Sequence, residues 1–96
     1  MRKDKTERAT KETKISCSLN LDGVGKSNIL TGIGFFDHML EIFSNHSLID
    51  IDLSVTGDIH VDLHHTVEDT AIVLAQSIIN CLGKKEGINR YGFYYI

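Results

Sequence analysis

The chain has no proline, only two cysteines, no excess of positive charge and no long apolar run. Each absence narrows the reading. Without proline, breaks between elements fall to glycine and to small polar turn formers. Cys17 and Cys81 are too few for a disulfide framework and read as reduced thiols in or near a core. Ten Lys/Arg against 13 Asp/Glu leave a net charge of −3, so there is no basic field for nucleic acid or an anionic membrane. No apolar stretch approaches the roughly 20 residues that span a bilayer. The opening MRKDKTERATKETK is basic but lacks the apolar centre of a signal peptide, which points to a cytoplasmic chain. What is present is ordinary for a soluble protein: 42% hydrophobic and 24% charged residues in 96 positions. That is enough for a single domain, residues 1–96, with one modest core.

Two stretches alternate with period 2. Ile15, Cys17, Leu19 and Leu21 interleave with Lys14, Ser16, Ser18 and Asn20; Ile49, Ile51, Leu53 and Val55 interleave with Asp50, Asp52, Ser54 and Thr56. Both predict strands with one buried face. Asp22-Gly23-Val24-Gly25 is a turn, and Ser27 to Thr31 reads as a short return strand. Gly57-Asp58 turns or bulges the second strand, and Ile59, Val61 and Leu63 continue the alternation briefly. Helical spacing appears twice. Phe36, Met39, Leu40 and Phe43 predict a helix from Phe35 to about Asn45; Val67, Ala71, Leu74, Ala75, Ile78 and Leu82 predict one from about His65 to Leu82. Gly83 stands where a helix C-cap belongs. The tail RYGFYYI is β-prone, and its apolar aromatic end reads either as a paired strand or as the first part of something longer. The order β-β-α-β-(β)-α-β is α+β, with helices on one face of a mainly antiparallel sheet.

Chemistry concentrates in DLHHTVED, residues 62–69. On a helix His64 and Glu68 are four apart and share a face, as do His65 and Asp69. Imidazole with carboxylate suits zinc, manganese, iron or nickel. Adjacent histidines point about 100° apart, so they tend to serve different ions. His38, in GFFDHML, is a further candidate, and Asp37, Asp62 and Asp69 are candidates to orient imidazoles from behind. The bland alternative is a solvated helix start, where acidic residues favour the macrodipole. By themselves Glu12, His60 and Arg90 read as surface residues.

Taken together, GIGFFDHML, NHS, GDIHVDLHHTVEDTAIVLAQSI and GKKEGINRYG strongly resemble the imidazoleglycerol-phosphate dehydratase family of histidine biosynthesis, and RATKET resembles its opening strand. The resemblance runs over almost the whole chain, in order. It implies dehydration of D-erythro-imidazole glycerol phosphate to imidazole acetol phosphate with two Mn²⁺ ions per complete site, other divalent metals being possible. The implied metal ligands are His38, His64, His65 and Glu68. One ion would take His64 with Glu68, the other His65 with His38. Glu12 and Glu68 are the implied catalytic residues. Arg90 would bind the substrate phosphate, and His38 to His46 would line the substrate site beside Glu12, His64, His65 and Glu68. The implied fold is a four-stranded sheet with two helices on one face, like the second domain of ribosomal protein S5. It is one half of a two-repeat enzyme whose halves pack helix to helix and whose subunits form a closed shell. The chain then corresponds to the first repeat, with the second absent. It would act as a homo-oligomer on a small phosphorylated imidazole, without nucleic acid or membrane. The alternative is a truncated, non-catalytic half-domain that folds and self-associates with incomplete metal sites.

Overall fold

The computed structural model describes all 96 residues. Strands β1 (Lys3–Ala9), β2 (Thr13–Asn20) and β3 (Ser27–Leu30) precede helix α1 (Gly34–Ser47), strand β4 (Asp50–Gly57) and helix α2 (His64–Leu82). The strands form one sheet in the order β1-β2-β4-β3. Alternation in β2 and β4 does what it predicts. The antiparallel register sets Ile15 opposite Val55, Cys17 opposite Leu53 and Leu19 opposite Ile51, so six apolar side chains share one face. With Ile29 from β3 and Val73 from α2 they make the buried core, while Asp52, Ser54 and Thr56 stay exposed on the other face. The α+β class, with four strands and two helices, is as expected.

The topology differs from the expected order in four places. Ser27–Leu30 is not a return partner for β2: β4 lies between them, and β3 runs parallel to β4. A parallel pair needs a crossover, and α1 supplies it. The sheet is therefore mixed. β4 brings three fully inward apolar residues and takes the inner place, whereas β3 brings only Ile29 and stays at the edge. Second, β1 forms within the polar opening. Its inward positions are Asp4 and Thr6, half-buried, and the Asp4 carboxylate accepts hydrogen bonds from Thr6 Oγ1 at 2.6 Å and Ser77 Oγ at 2.8 Å. Third, Ile59 to Leu63 forms turns, not strand. Fourth, the tail forms no strand, and Tyr91 and Phe93–Ile96 are exposed.

The helices cover the inward sheet face incompletely. On α2 the buried residues are Thr66, Thr70, Val73 and Ser77, one stripe of small and β-branched side chains laid on β1, β2 and β4. The apolar stripe read from the sequence is rotated away: Leu74 and Ile78 lean on the rim of the core, while Val67, Ala71 and Ala75 are exposed. On α1 only Ser44 is fully buried, its Oγ donating to Ile49 O at 2.6 Å, and Phe35, Met39, Ile42 and Phe43 remain open. Between the two helices lies an apolar groove of about 310 Å³, lined by Leu40, Phe43, Ile49, Leu74, Ala75 and Ile78 among others. Helix α2 ends as expected at Gly83, whose φ of 58° suits glycine and whose N–H donates to Ile79 O at 3.1 Å. No helix is long and apolar enough to cross a membrane.

Candidate functional site

The site grows from the place where three segments meet: the β1–β2 turn, the end of β4 and the first turns of α2. In the turn, Thr10 Oγ1 accepts the backbone N–H groups of Glu12 at 3.1 Å and Thr13 at 3.0 Å. This is a hydroxyl-closed turn, and it places Glu12 in the loop between β1 and β2, exposed, rather than within a strand as the resemblance implies. Thr13, buried at the start of β2, donates through Oγ1 to Asp69 Oδ2 at 2.6 Å. Asp69 also has the Arg8 guanidinium 3.8 Å away. On its other side the turn is fastened to β4, because the Asp58 N–H donates to Glu12 O at 3.1 Å. Glu12 therefore rides on a loop tied to both α2 and β4.

Gly57 lets β4 and α2 come together. A Cβ there would run into Thr66 Oγ1, so the strand end can slide beneath the helix start only as glycine. That close approach carries Asp58 under the first turn of α2. Its Oδ2 lies 2.8 Å from His65 Nδ1, and its Oδ1 is buried with no partner. The hydrogen bond with Asp58 is the main cause of a His65 pKa above the ordinary imidazole value; burial opposes it, and the charges of Asp58, Glu12 and Asp69 reinforce it. One turn of helix also joins His64 to Glu68, with Nε2 to Oε2 at 3.0 Å, both side chains more than half exposed. An ionised carboxylate only accepts hydrogen bonds. The two imidazoles thus point opposite nitrogens at their carboxylate partners, Nδ1 in His65 and Nε2 in His64.

An open polar cleft of about 320 Å³ runs beside this junction, walled by Glu12, Lys11, Lys14, Thr56 and Asp58. Glu12 lines it as a carboxylate able to hold or pass a proton, and Asp58, the partner of His65, forms part of the same wall. The i, i+4 pairing of His64 with Glu68 appears as the helix geometry predicts. The other expected site residues are not drawn into this junction. His38 and His46 are exposed on α1, and Arg90 is exposed in the irregular segment after α2. Nowhere do three or more His, Cys, Asp or Glu side chains converge as an ion-holding group.

The three carboxylates expected to orient imidazoles do other work. Asp37 accepts from Thr31 N and Oγ1 ahead of α1, Asp62 from Leu63 N, and Asp69 from Thr13. The carboxylate behind His65 is instead Asp58, which the sequence presents only as a turn residue. The signal that would have found it is an acidic residue placed directly after a strand-ending glycine and one turn of chain before the HH pair. His60 lies exposed in a turn, as a surface residue.

By donor chemistry His64 with Glu68, and His65 with Asp58 behind it, suit divalent metals as two separate pairs, not as one converging set. A complete coordination shell at either pair would need further ligands.

Comparison with known proteins bears on the same residues. A family model described as imidazoleglycerol-phosphate dehydratase matches residues 31–96. Curated proteins of that name from Acetivibrio thermocellus, Brucella suis and Ruegeria sp. are 54%, 59% and 56% identical over 95, 90 and 92 residues. The matches cover 99%, 94% and 96% of this chain but 49%, 45% and 47% of those proteins. The chain spans about half the length of the curated relatives it matches. A crystal structure of imidazoleglycerol-phosphate dehydratase from Staphylococcus aureus subsp. aureus N315 superposes with a TM-score of 0.79 at 32% identity, covering 98% of this chain and 50% of that one.

Proposed function

The chain belongs to the imidazoleglycerol-phosphate dehydratase family, and on that footing we propose that it forms one of the two repeats of a metal-dependent hydro-lyase acting in histidine biosynthesis. The reaction is loss of water from D-erythro-imidazole glycerol phosphate to give imidazole acetol phosphate, in the cytoplasm. The observation that carries this reading is the junction itself: HHTVED starts α2 beside the Glu12 loop, in a chain whose family match covers that motif. His38, His64, His65 and Glu68 are the ligands we assign, with Mn²⁺ the preferred ion, two per complete site. When bound, the metal supplies Lewis acidity to the imidazole ring and stabilises negative charge developing there.

The chain's own residues do the rest. Glu12, on a loop held by Thr10 and by the Thr13–Asp69 bond, takes or returns the proton on the substrate's glycerol carbon. Arg90, whose guanidinium can grip two phosphate oxygens, anchors the other end of the substrate. His46, with His38, lines the site from α1. Glu68 is both ligand and neighbour of the reacting atoms.

The complete site needs more ligands than this chain gathers, so we propose that the active form is an assembly in which copies of the chain complete one another's sites. The apolar groove between α1 and α2, with Phe43 and Leu74 on its walls, favours association. The same groove supports a second reading, a half-domain that associates without catalysing. One experiment separates them. Mn²⁺-loaded material is resolved by size, and each fraction is assayed for dehydration of imidazole glycerol phosphate. Turnover in an assembled fraction, reduced at least about 100-fold in Glu12→Gln, supports the enzyme. Folded, assembled, Mn²⁺-loaded material without turnover supports the half-domain.

A further inference from the structure

We infer that Asp58 is the positioning residue for His65: it holds the proton on Nδ1, so that Nε2 presents its lone pair outward, ready for a divalent cation. The inference rests on the reading of His65 as a ligand, but its geometric content stands apart from that reading. The Asp58 carboxylate has one hydrogen-bond partner, His65 Nδ1 at 2.8 Å. Its second oxygen is buried with none. A side chain only 18% exposed, with one oxygen left without a donor, is costly to place. The backbone is arranged to place it all the same. Gly57 permits the close approach to Thr66, and the Asp58 N–H is fastened to Glu12 O. Such a cost is compensated where orientation of the imidazole matters, as in the carboxylate–histidine–metal arrangement.

The neighbouring pair provides a contrast. His64 has only Glu68, through Nε2, and both are open to solvent. Before His64 Nε2 can bind an ion its proton has to leave or move to Nδ1, where no carboxylate holds it, whereas in His65 the proton already sits on Nδ1 beside Asp58. The two histidines therefore differ in readiness: His65 is set by the fold, and His64 is set by the ion. The link to Glu12 adds a further consequence. The peptide that orients Asp58 also ties the backbone of Glu12, so the His65 ring and the Glu12 loop share one support.

The test reads tautomers directly. Imidazole ¹⁵N shifts are recorded on the full, metal-free chain as pH is raised until they show a neutral His65 ring, which needs a higher pH than a free imidazole because Asp58 favours the charged form. His65 is expected as the Nδ1–H tautomer in the wild-type chain and to move towards Nε2–H in Asp58→Ala, with His64 unchanged. Asp58→Asn, which keeps the size of the side chain, is expected to give a mixture. Calorimetry with Mn²⁺ alone should show binding 10- to 100-fold weaker, by about that factor, in Asp58→Ala. A wild-type His65 found as Nε2–H overturns the inference without any variant. So does an unchanged Nδ1–H tautomer in folded Asp58→Ala. Failure of the ligand reading looks different: His65→Ala would then bind Mn²⁺ as tightly as the wild-type chain, whatever the tautomer of His65.

Discussion

The two faces of α2 are built from opposite materials. The face laid on the sheet carries Thr66, Thr70, Val73 and Ser77, all essentially inaccessible; the outward face carries Val67, Ala71, Ile72, Ala75 and Ile79, all exposed. In a helix serving only its own domain the apolar stripe turns inward. Here small residues are inside because the helix sits very close to β1 and β2, close enough for Ser77 to reach Asp4 across the gap and for Thr66 to touch Gly57. Only 14 of the 96 residues are buried, and the apolar outer stripe lies outside that core as exposed surface. Close packing inside and an apolar face outside are what the proposed assembly needs of α2, which in it becomes a middle layer.

That contrast can be broken most forcefully at Val73, the single apolar residue fully buried on the inner face. Val73→Asp should cost about 3–5 kcal/mol by burying an uncompensated charge, read by urea unfolding. A cost below about 1 kcal/mol would mean that α2 is not seated on this face. A smaller, pH-dependent effect is expected at Asp4. Hydrogen bonds from Thr6, then Ser77, hold its carboxyl below the ordinary value of 3.8. A lowered folded-state pKa contributes stability above the unfolded value, and that stability is lost as pH falls through the folded value. Asp4→Asn should therefore flatten the acid limb of a stability–pH profile below pH 3.8, leaving the neutral limb with the same slope. An unchanged acid limb would show that Asp4 does not help to seat the helix. The smallest effect on folding belongs to the outer face. Ile79→Lys should change monomer stability by no more than about 0.5 kcal/mol, while sedimentation shows loss of association. Equal loss of stability and association would erase the distinction between the faces.

Much of the frame was legible from local pattern alone. Strands β2 and β4 show because their inward residues, Ile15 to Leu19 and Ile51 to Val55, alternate without exception. Strand β1 does not show, because its inward residues are Asp4 and Thr6 and its partners lie on α2. The parallel pairing of β3 is hidden for a different reason: which neighbour a strand takes is decided by competition for the sheet, not by its own alternation. Helix periodicity located α2 correctly but not its rotation, since an apolar stripe says only that something covers it. In the site, His64 with Glu68 follows from helix geometry. The partners of His65 and the Thr13–Asp69 bond join residues far apart in the chain, and no local spacing announces them. The place of Glu12 beside them came from family resemblance, and the loop conformation that holds it there from Thr10.

The position of β4 between β2 and β3 also governs how the protein is made. The sheet cannot close in chain order: after β1 and β2 pair, the free edge of β2 has to wait while β3, α1 and the following turn are synthesised and β4 arrives. Pairings so distant in sequence slow folding relative to helical bundles, towards the rates of mixed α/β domains. During that wait a nascent chain shows an unpaired edge bearing Ile15, Cys17 and Leu19, and crowding by other such chains competes directly with its own completion.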